Sequence, residues 1–207
     1  MTKISILFLI VLFASVQEVF AQAYDSDWVM WNNRGGQALK KGDYKKAELF
    51  FEKALLVSKK FGNTSKQKAS SLNNLAGVYM QQGLWKEAES YLVLSLSMRE
   101  DLLSPKDTTL ANTCHNLGVC AFHQEKLADA RRYFSRALDI RYEANHEDQK
   151  MVKEMTWLSK VLIRQGNLDQ AEKLLGDALV FSRKDPKNTT ATQEISGMLK
   201  ELKVKGD

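Results

Sequence analysis

Residues 112–123 hold most of the side chains that could do chemistry. Cys114, His115, Cys120 and His123 all fall within this one segment. A thiol beside an imidazole is the pairing of a nucleophile with its base, and thiol–imidazole sets also bind zinc. The spacing fits neither use. Cys120 and His123 form a single i, i+3 pair, no Cys-x-x-Cys or His-Glu-x-x-His spacing occurs, and a metal needs further ligands converging on it. No metal site and no cofactor is expected. The two cysteines lie six residues apart, about 9 Å of rise on one helix, too far to bridge without unwinding it. They read as buried free thiols or, alternatively, as a bridge between chains. Free thiols sit awkwardly in an oxidising compartment. His146 stands at a helix boundary and reads as solvated. No Gly-rich phosphate loop or Gly-x-Ser-x-Gly turn is present, no nucleophile is bracketed by a base, and Glu87 and Glu89 read as surface. No catalytic residue is expected, so the chain does not read as an enzyme.

The bulk of the chain is built for helices. Its 207 residues suit one domain with appendages, and a hydrophobic content of 44% can form a core. Only two prolines interrupt it, which leaves room for long helices. The net charge is +5, but the charges interleave, as in Lys40, Lys41, Asp43, Lys45, Lys46 and Glu48. That is a solvated helical surface rather than the clustered stripe that nucleic acid requires. No nucleic-acid partner is expected.

The stretch Ala69–Leu96 shows how these helices are organised. Leu72, Leu75, Ala76 and Tyr79 make an i, i+3, i+4, i+7 apolar stripe. A turn at Gly83 follows, and then a second stripe of Trp85, Ala88, Leu92 and Ser95. Small Ala76 and Ala88 allow two helix backbones to approach closely. The unit recurs about the small alanines Ala47, Ala88, Ala130 and Ala171, at spacings of 41, 42 and 41 residues. The first copy carries Trp31, Gly35, Gly42, Tyr44, Phe51 and Ala54. The third carries Cys114, Leu117, Gly118, Ala121, Leu127, Phe134 and Ala137. The fourth carries Met155, Leu158, Ser159, Leu162, Gly166, Leu168, Leu175 and Ala178. The helices are expected near 27–41 and 43–60, 65–82 and 84–103, 108–124 and 126–144, 147–165 and 167–183, with a last one near 190–204. Asp25, Ser26 or Asp27 could cap the first, and Asp107 or Thr108 the fifth. Pro105 and Pro186 mark breaks.

These residues resemble the tetratricopeptide repeat, whose pattern sets a bulky residue, Leu-Gly/Ala, Tyr, Gly, Ala, Phe and Ala at fixed offsets. The period near 42 exceeds the usual 34 and is similar to the longer repeats of kinesin light chains, which also carry Leu-Asn-Asn-Leu-Ala runs. The resemblance covers roughly residues 28–183. It implies an all-α fold, a right-handed α-α superhelical solenoid of four helix pairs (about 28–62, 66–104, 108–145 and 149–184, within 24–185). Residues 186–207 would form a capping helix and tail, or half of a fifth repeat completed by a partner chain.

In this family the first helices of successive repeats line a concave groove. The resemblance places Asn33, Asn73, Asn74, Asn112, His115, Asn116, Lys153, Trp157, Lys160 and Arg164 there. Asn33, Asn74 and Asn116 share one slot, where an amide can hold the backbone of an extended peptide. The same amides could instead bond between neighbouring helices. Trp157 takes that slot in the fourth copy, among Lys153, Lys160 and Arg164, a setting for an acidic or C-terminal group with an apolar anchor. The chaperone-tail clamp of the family is not matched: Asn32, Gly36, Asn112 and Asn116 stand where its Lys, Asn, Lys and Arg would be. The function expected is a non-catalytic interaction module that holds a peptide or partner helix. The alternative is an assembly subunit that forms homo-oligomers through its convex face or C-terminal helix.

Residues 1–23 pattern as a secretory signal peptide: Lys3, then an apolar run from Ile4 to Ala14, then small residues around Ala21 and Ala23 at cleavage spacing. Export to the periplasm, a secretory lumen or the exterior is expected, with no stable membrane insertion afterwards. The alternative is an uncleaved membrane anchor, against which the run is short, since a span needs about 20 residues.

Overall fold

The computed structural model describes residues 25–144, 149–185 and 189–206. The signal-peptide segment, His146 and Pro186 lie outside the described residues. All regular structure among the described residues is helical. The chain divides at Leu84 into two compact units.

The first unit contains α1 (25–40), α2 (Tyr44–Ser58), a 3-10 turn (Lys59–Phe61) and α3 (Lys66–Gln81). Asp25, Ser26 and Asp27 are themselves helical, within α1 rather than ahead of it. The second helix ends at Ser58, short of the expected residue 60, because the chain tightens into the 3-10 turn before Gly62, at φ 103°. Asp43 caps α2 through Lys46 N, and Ser65 caps α3 through Lys68 N. Phe51 fills the space above Gly35, where an added Cβ would lie 2.6 Å from its ring. Ala47, Ala54, Leu75 and Ala76 complete a core that is closed to solvent.

The second unit contains α4 (Trp85–Leu102), α5 (Thr108–His123), α6 (Leu127–Glu143), α7 (Gln149–Arg164), α8 (Leu168–Arg183) and α9 (Thr189–Gly206). Each of these helices packs on the next, and α9 also touches α7. Asp107 caps α5, its carboxylate accepting from Thr109 N at 2.8 Å. Phe134 lies fully buried over Gly118, as Phe51 does over Gly35. Ala130, Ala137, Ala171 and Ala178 are buried completely, so the small slots read from the sequence are where helices meet. Ile195 and Leu202 bury one side of α9. No helix among the described residues is long and apolar enough to cross a membrane.

The hairpin turns require a left-handed residue. Gly83 and Gly166 supply it at φ 74° and 78°. The third copy has Glu125 at the equivalent place, held at φ 59°. A side chain in that region costs about 1–2 kcal/mol. Glu125 also pairs with Arg164, but both side chains are largely exposed and such pairs contribute about 0–1 kcal/mol. Glu125→Gly is therefore expected to stabilise the protein by up to about 1 kcal/mol, more at high salt where the ion pair is screened. Urea unfolding at low and high salt measures it, and a loss of stability at high salt would contradict this account.

Candidate functional site

In the first unit the predicted amides are tied into the fold to different degrees. Asn33 is exposed on α1, while Asn73 and Asn74 are half-buried on α3. Asn74 donates to Asn32 Oδ1 at 2.7 Å, and Asn32 donates to Trp28 O at 2.8 Å. Trp28 Nε1 donates to Ser71 Oγ at 2.9 Å. This chain of polar contacts joins α1 to α3. Asn74 thus makes a bond between helices, leaving the rest of its hydrogen-bonding capacity for other groups.

The second unit gathers the remaining predicted residues on α5 and α7, and adds partners that sequence reasoning did not name. Glu154 is buried to 1% exposure and sits at the centre. Its Oε1 accepts from Arg141 Nε at 3.2 Å, and its Oε2 lies 2.6 Å from His115 Nδ1. Arg141 also donates to Asn112 Oδ1 at 2.9 Å. Four side chains from α5, α6 and α7 form one connected network, and it holds both Asn112 and His115. The signals were present in sequence. Glu154 interrupts the buried stripe Met151, Met155, Leu158. Arg141 stands eleven residues beyond Ala130, as Arg99 does beyond Ala88. Arg99 is buried too, donating to Thr109 O at 2.8 Å and Thr113 Oγ1 at 2.6 Å.

Trp157 is half-buried in an aromatic cluster. One face stacks on Phe134 at 5.6 Å between ring centres. Phe122 and His115 meet it edge-on, at 5.5 and 6.3 Å. Lys160 Nζ lies 4.7 Å from its ring centre. The cations expected around Trp157 have different fates. Lys160 pairs with Glu194 of α9 at 2.8 Å. Arg164 pairs with Glu125 and covers Phe122. Lys153 remains exposed.

Two chambers open beside these residues. The larger, about 370 Å³, lies between α7 and α9, with Val152, Thr156, Trp157 and Ala191 among its walls. The smaller, about 150 Å³, is bounded by the Glu154 network and Asn116. Lys150 and Lys153 border both.

The chemistry noted around residues 114–123 is engaged in packing. Burial pushes the Cys114 thiol up to about 11 and the Cys120 thiol up to about 12, so neither is a ready nucleophile. His123 stacks on Trp85 at 4.0 Å. Among the described residues no three His, Cys, Asp or Glu side chains converge as a metal site would need. Glu87 is exposed, but Glu89 departs from the surface reading. It is partly buried and accepts from Gln124 at 2.9 Å and Lys126 at 2.8 Å. Burial raises its carboxyl, and those two hydrogen bonds outweigh burial, holding it below its ordinary value.

Comparison with known proteins follows the same lines. Tetratricopeptide-repeat models match residues 30–61 and 67–143. The chain is similar in structure to BtubC (BKLC) from P. vanneervenii, with a TM-score of 0.72 at 18% identity over 93% of this chain and 84% of that one. It is also similar to the nearly identical TPR-like repeats of a protein described as a kinesin light chain from Podosopora anserina, at TM-score 0.68 and 14% identity over 86% and 95%. The apo form of RapI gives 0.71 and 13% over 86% and 70%. At such identities the likeness is one of fold alone. No curated protein matches the chain by sequence. The matched segments together make just over half of the chain, and with the helix hairpins above they show that it belongs to the tetratricopeptide-repeat family.

Proposed function

We propose that this protein is a non-catalytic interaction module that binds an extended segment of a partner protein along the face built by α5, α7 and α9. The observation that carries this reading is the larger chamber, where half-buried Trp157 stands beside exposed Lys153 between two helices. A rigid aromatic with one face supported by Phe134 is a suitable anchor, because little conformational freedom is lost when a ligand covers it. Membership of a family of interaction modules is consistent with it. Asn116 of α5 borders the adjoining chamber and extends the face towards the Glu154 network. The proposed module is exported, with residues 1–23 removed as a signal, which N-terminal sequencing of the mature chain checks.

A display library of random dodecapeptides, selected on the full mature chain, tests the binding mode. Selected peptides are expected to lose at least tenfold in affinity for Lys153→Ala and for Trp157→Phe, each first shown to melt like the wild type. Selected peptides that bind both variants as tightly as the wild type would overturn this placement. Self-association of the chain that survives both substitutions would favour assembly through another surface.

A further inference from the structure

We infer that the exposed face of α2 is a peripheral contact for an anionic lipid surface. The inference does not rest on the face of α5, α7 and α9 proposed above. Ala47, Phe51 and Ala54 of α2 are buried and face the core. Leu49 and Leu56 stand two turns apart on the opposite side, 48% and 62% exposed. The repeat does not require leucine there. The same two positions hold Ser90 and Ser97 in the second copy, Arg132 and Asp139 in the third, and Lys173 and Val180 in the fourth. Exposed apolar residues scattered singly need no explanation. Two leucines aligned on one helix face, at positions that are mostly polar in the other copies, set α2 apart.

Charge points to the occupant. Residues 40–68, which hold α2 and the turns on either side of it, carry nine lysines against three acids, a surplus of six, while the whole chain has a surplus of five. The positive charge of the protein is therefore concentrated on this helix and its flanks. Lys45 and Lys59 are exposed at the two ends of the leucine stripe, four residues before Leu49 and three after Leu56. Lys53 stands one turn from each leucine, its Nζ 4.4 Å from the centre of the Trp31 ring. Of the three acids, Asp43 pairs with Lys46 at 2.7 Å and Glu48 accepts from the Tyr79 hydroxyl. Glu52 is the acid that shares the exposed stripe. Cations around an apolar strip match the layers of a bilayer interface: leucines settle below anionic headgroups, and lysine stems reach back up to them. Nucleic acid suits the face less, because its phosphates gain nothing from two leucines. The contact is peripheral, since no helix among the described residues is long and apolar enough to cross a membrane.

The test is flotation of the mature chain, without the apolar run Ile4–Ala14, on vesicles of phosphatidylcholine alone or of phosphatidylcholine and phosphatidylglycerol in equal parts. Partitioning onto the anionic vesicles is expected to be at least tenfold stronger than onto the neutral ones, and to weaken as salt is raised. Lys45→Gln with Lys59→Gln, and separately Leu49→Gln with Leu56→Gln, are each expected to reduce it at least fivefold without lowering the melting temperature. Lys86→Gln with Lys173→Gln removes the same charge from exposed positions elsewhere and is expected to leave partitioning nearly unchanged. Equal binding to both kinds of vesicle, or an equal loss from both lysine pairs, overturns the inference. A leucine variant that floats like the wild type overturns it too, and a DNA duplex bound alike by both proteins would identify the face as a general polyanion contact. Self-association that the leucine variant abolishes, with no flotation of the wild type, would assign the face to a second copy of the chain instead.

Discussion

Glu154→Ala is expected to destabilise the protein by about 3–5 kcal/mol, the usual cost of breaking a buried ion pair from one side. The substitution leaves Arg141, its side chain 3% exposed, without its carboxylate. It also strips His115 Nδ1 of its hydrogen-bond partner. Arg141 would keep only the neutral Asn112 as an acceptor, and His115 would lose a buried partner. The loss should appear as a lower urea midpoint and as faster amide exchange in α5, α6 and α7, the three helices the network joins. Replacing the charged set together, as Glu154→Met with Arg141→Met and His115→Leu, is expected to recover most of the stability, because the desolvation of both charges disappears with them. A single-variant effect below about 1 kcal/mol would mean that water already reaches the carboxylate. The same network forms the floor of the smaller chamber, so its integrity sets where Lys153 and Asn116 can present themselves.

Phe134→Ala is expected to cost a similar amount, about 3–5 kcal/mol. Its ring is fully buried, lies against Gly118 and supports one face of Trp157. Truncation therefore opens a cavity and frees the proposed anchor at once. The fit between Phe134 and Gly118 is tight enough to be tested from the other side. A Cβ at Gly118 would lie 2.7 Å from the ring, so Gly118→Ala should overpack by about 1–3 kcal/mol. The fourth repeat holds Ser159 and Leu175 in the two equivalent slots, both completely buried. Gly118→Ala combined with Phe134→Leu is accordingly expected to be less destabilising than the sum of the single changes, read from a double-mutant cycle in urea. Simple additivity would show that the two side chains do not share one space.

The sequence alone determined where the helices run and which residues bury between the two arms of a hairpin. Period-3.6 stripes, a small alanine every 41 or 42 residues and glycines at the turns are local signals, each read within about one helix length. The structure moved the boundaries by only a few residues, as at Ser58, where the turn before Gly62 tightened the helix end. Glu125 was not singled out from the sequence, although it stands where the other copies carry a turn glycine, and its left-handed backbone was visible only in the fold.

The candidate site was legible by location and not by its bonding. Sequence placed Asn112, His115, Asn116, Lys153 and Trp157 on helix faces that the structure brings together on α5 and α7. It did not show that His115 meets Glu154, 39 residues away, or that Arg141 meets Asn112, 29 residues away. Nor did it show that Glu125 and Glu194 take up Arg164 and Lys160. The physical reason is that helical periodicity fixes a residue's angle about its own axis, whereas a partner on another helix depends on how the axes are offset and crossed. That offset is set by ring-into-gap packing such as Phe134 on Gly118, summed over the interface. Tertiary structure alone therefore decided which cations are neutralised and that exposed Lys153 borders both chambers.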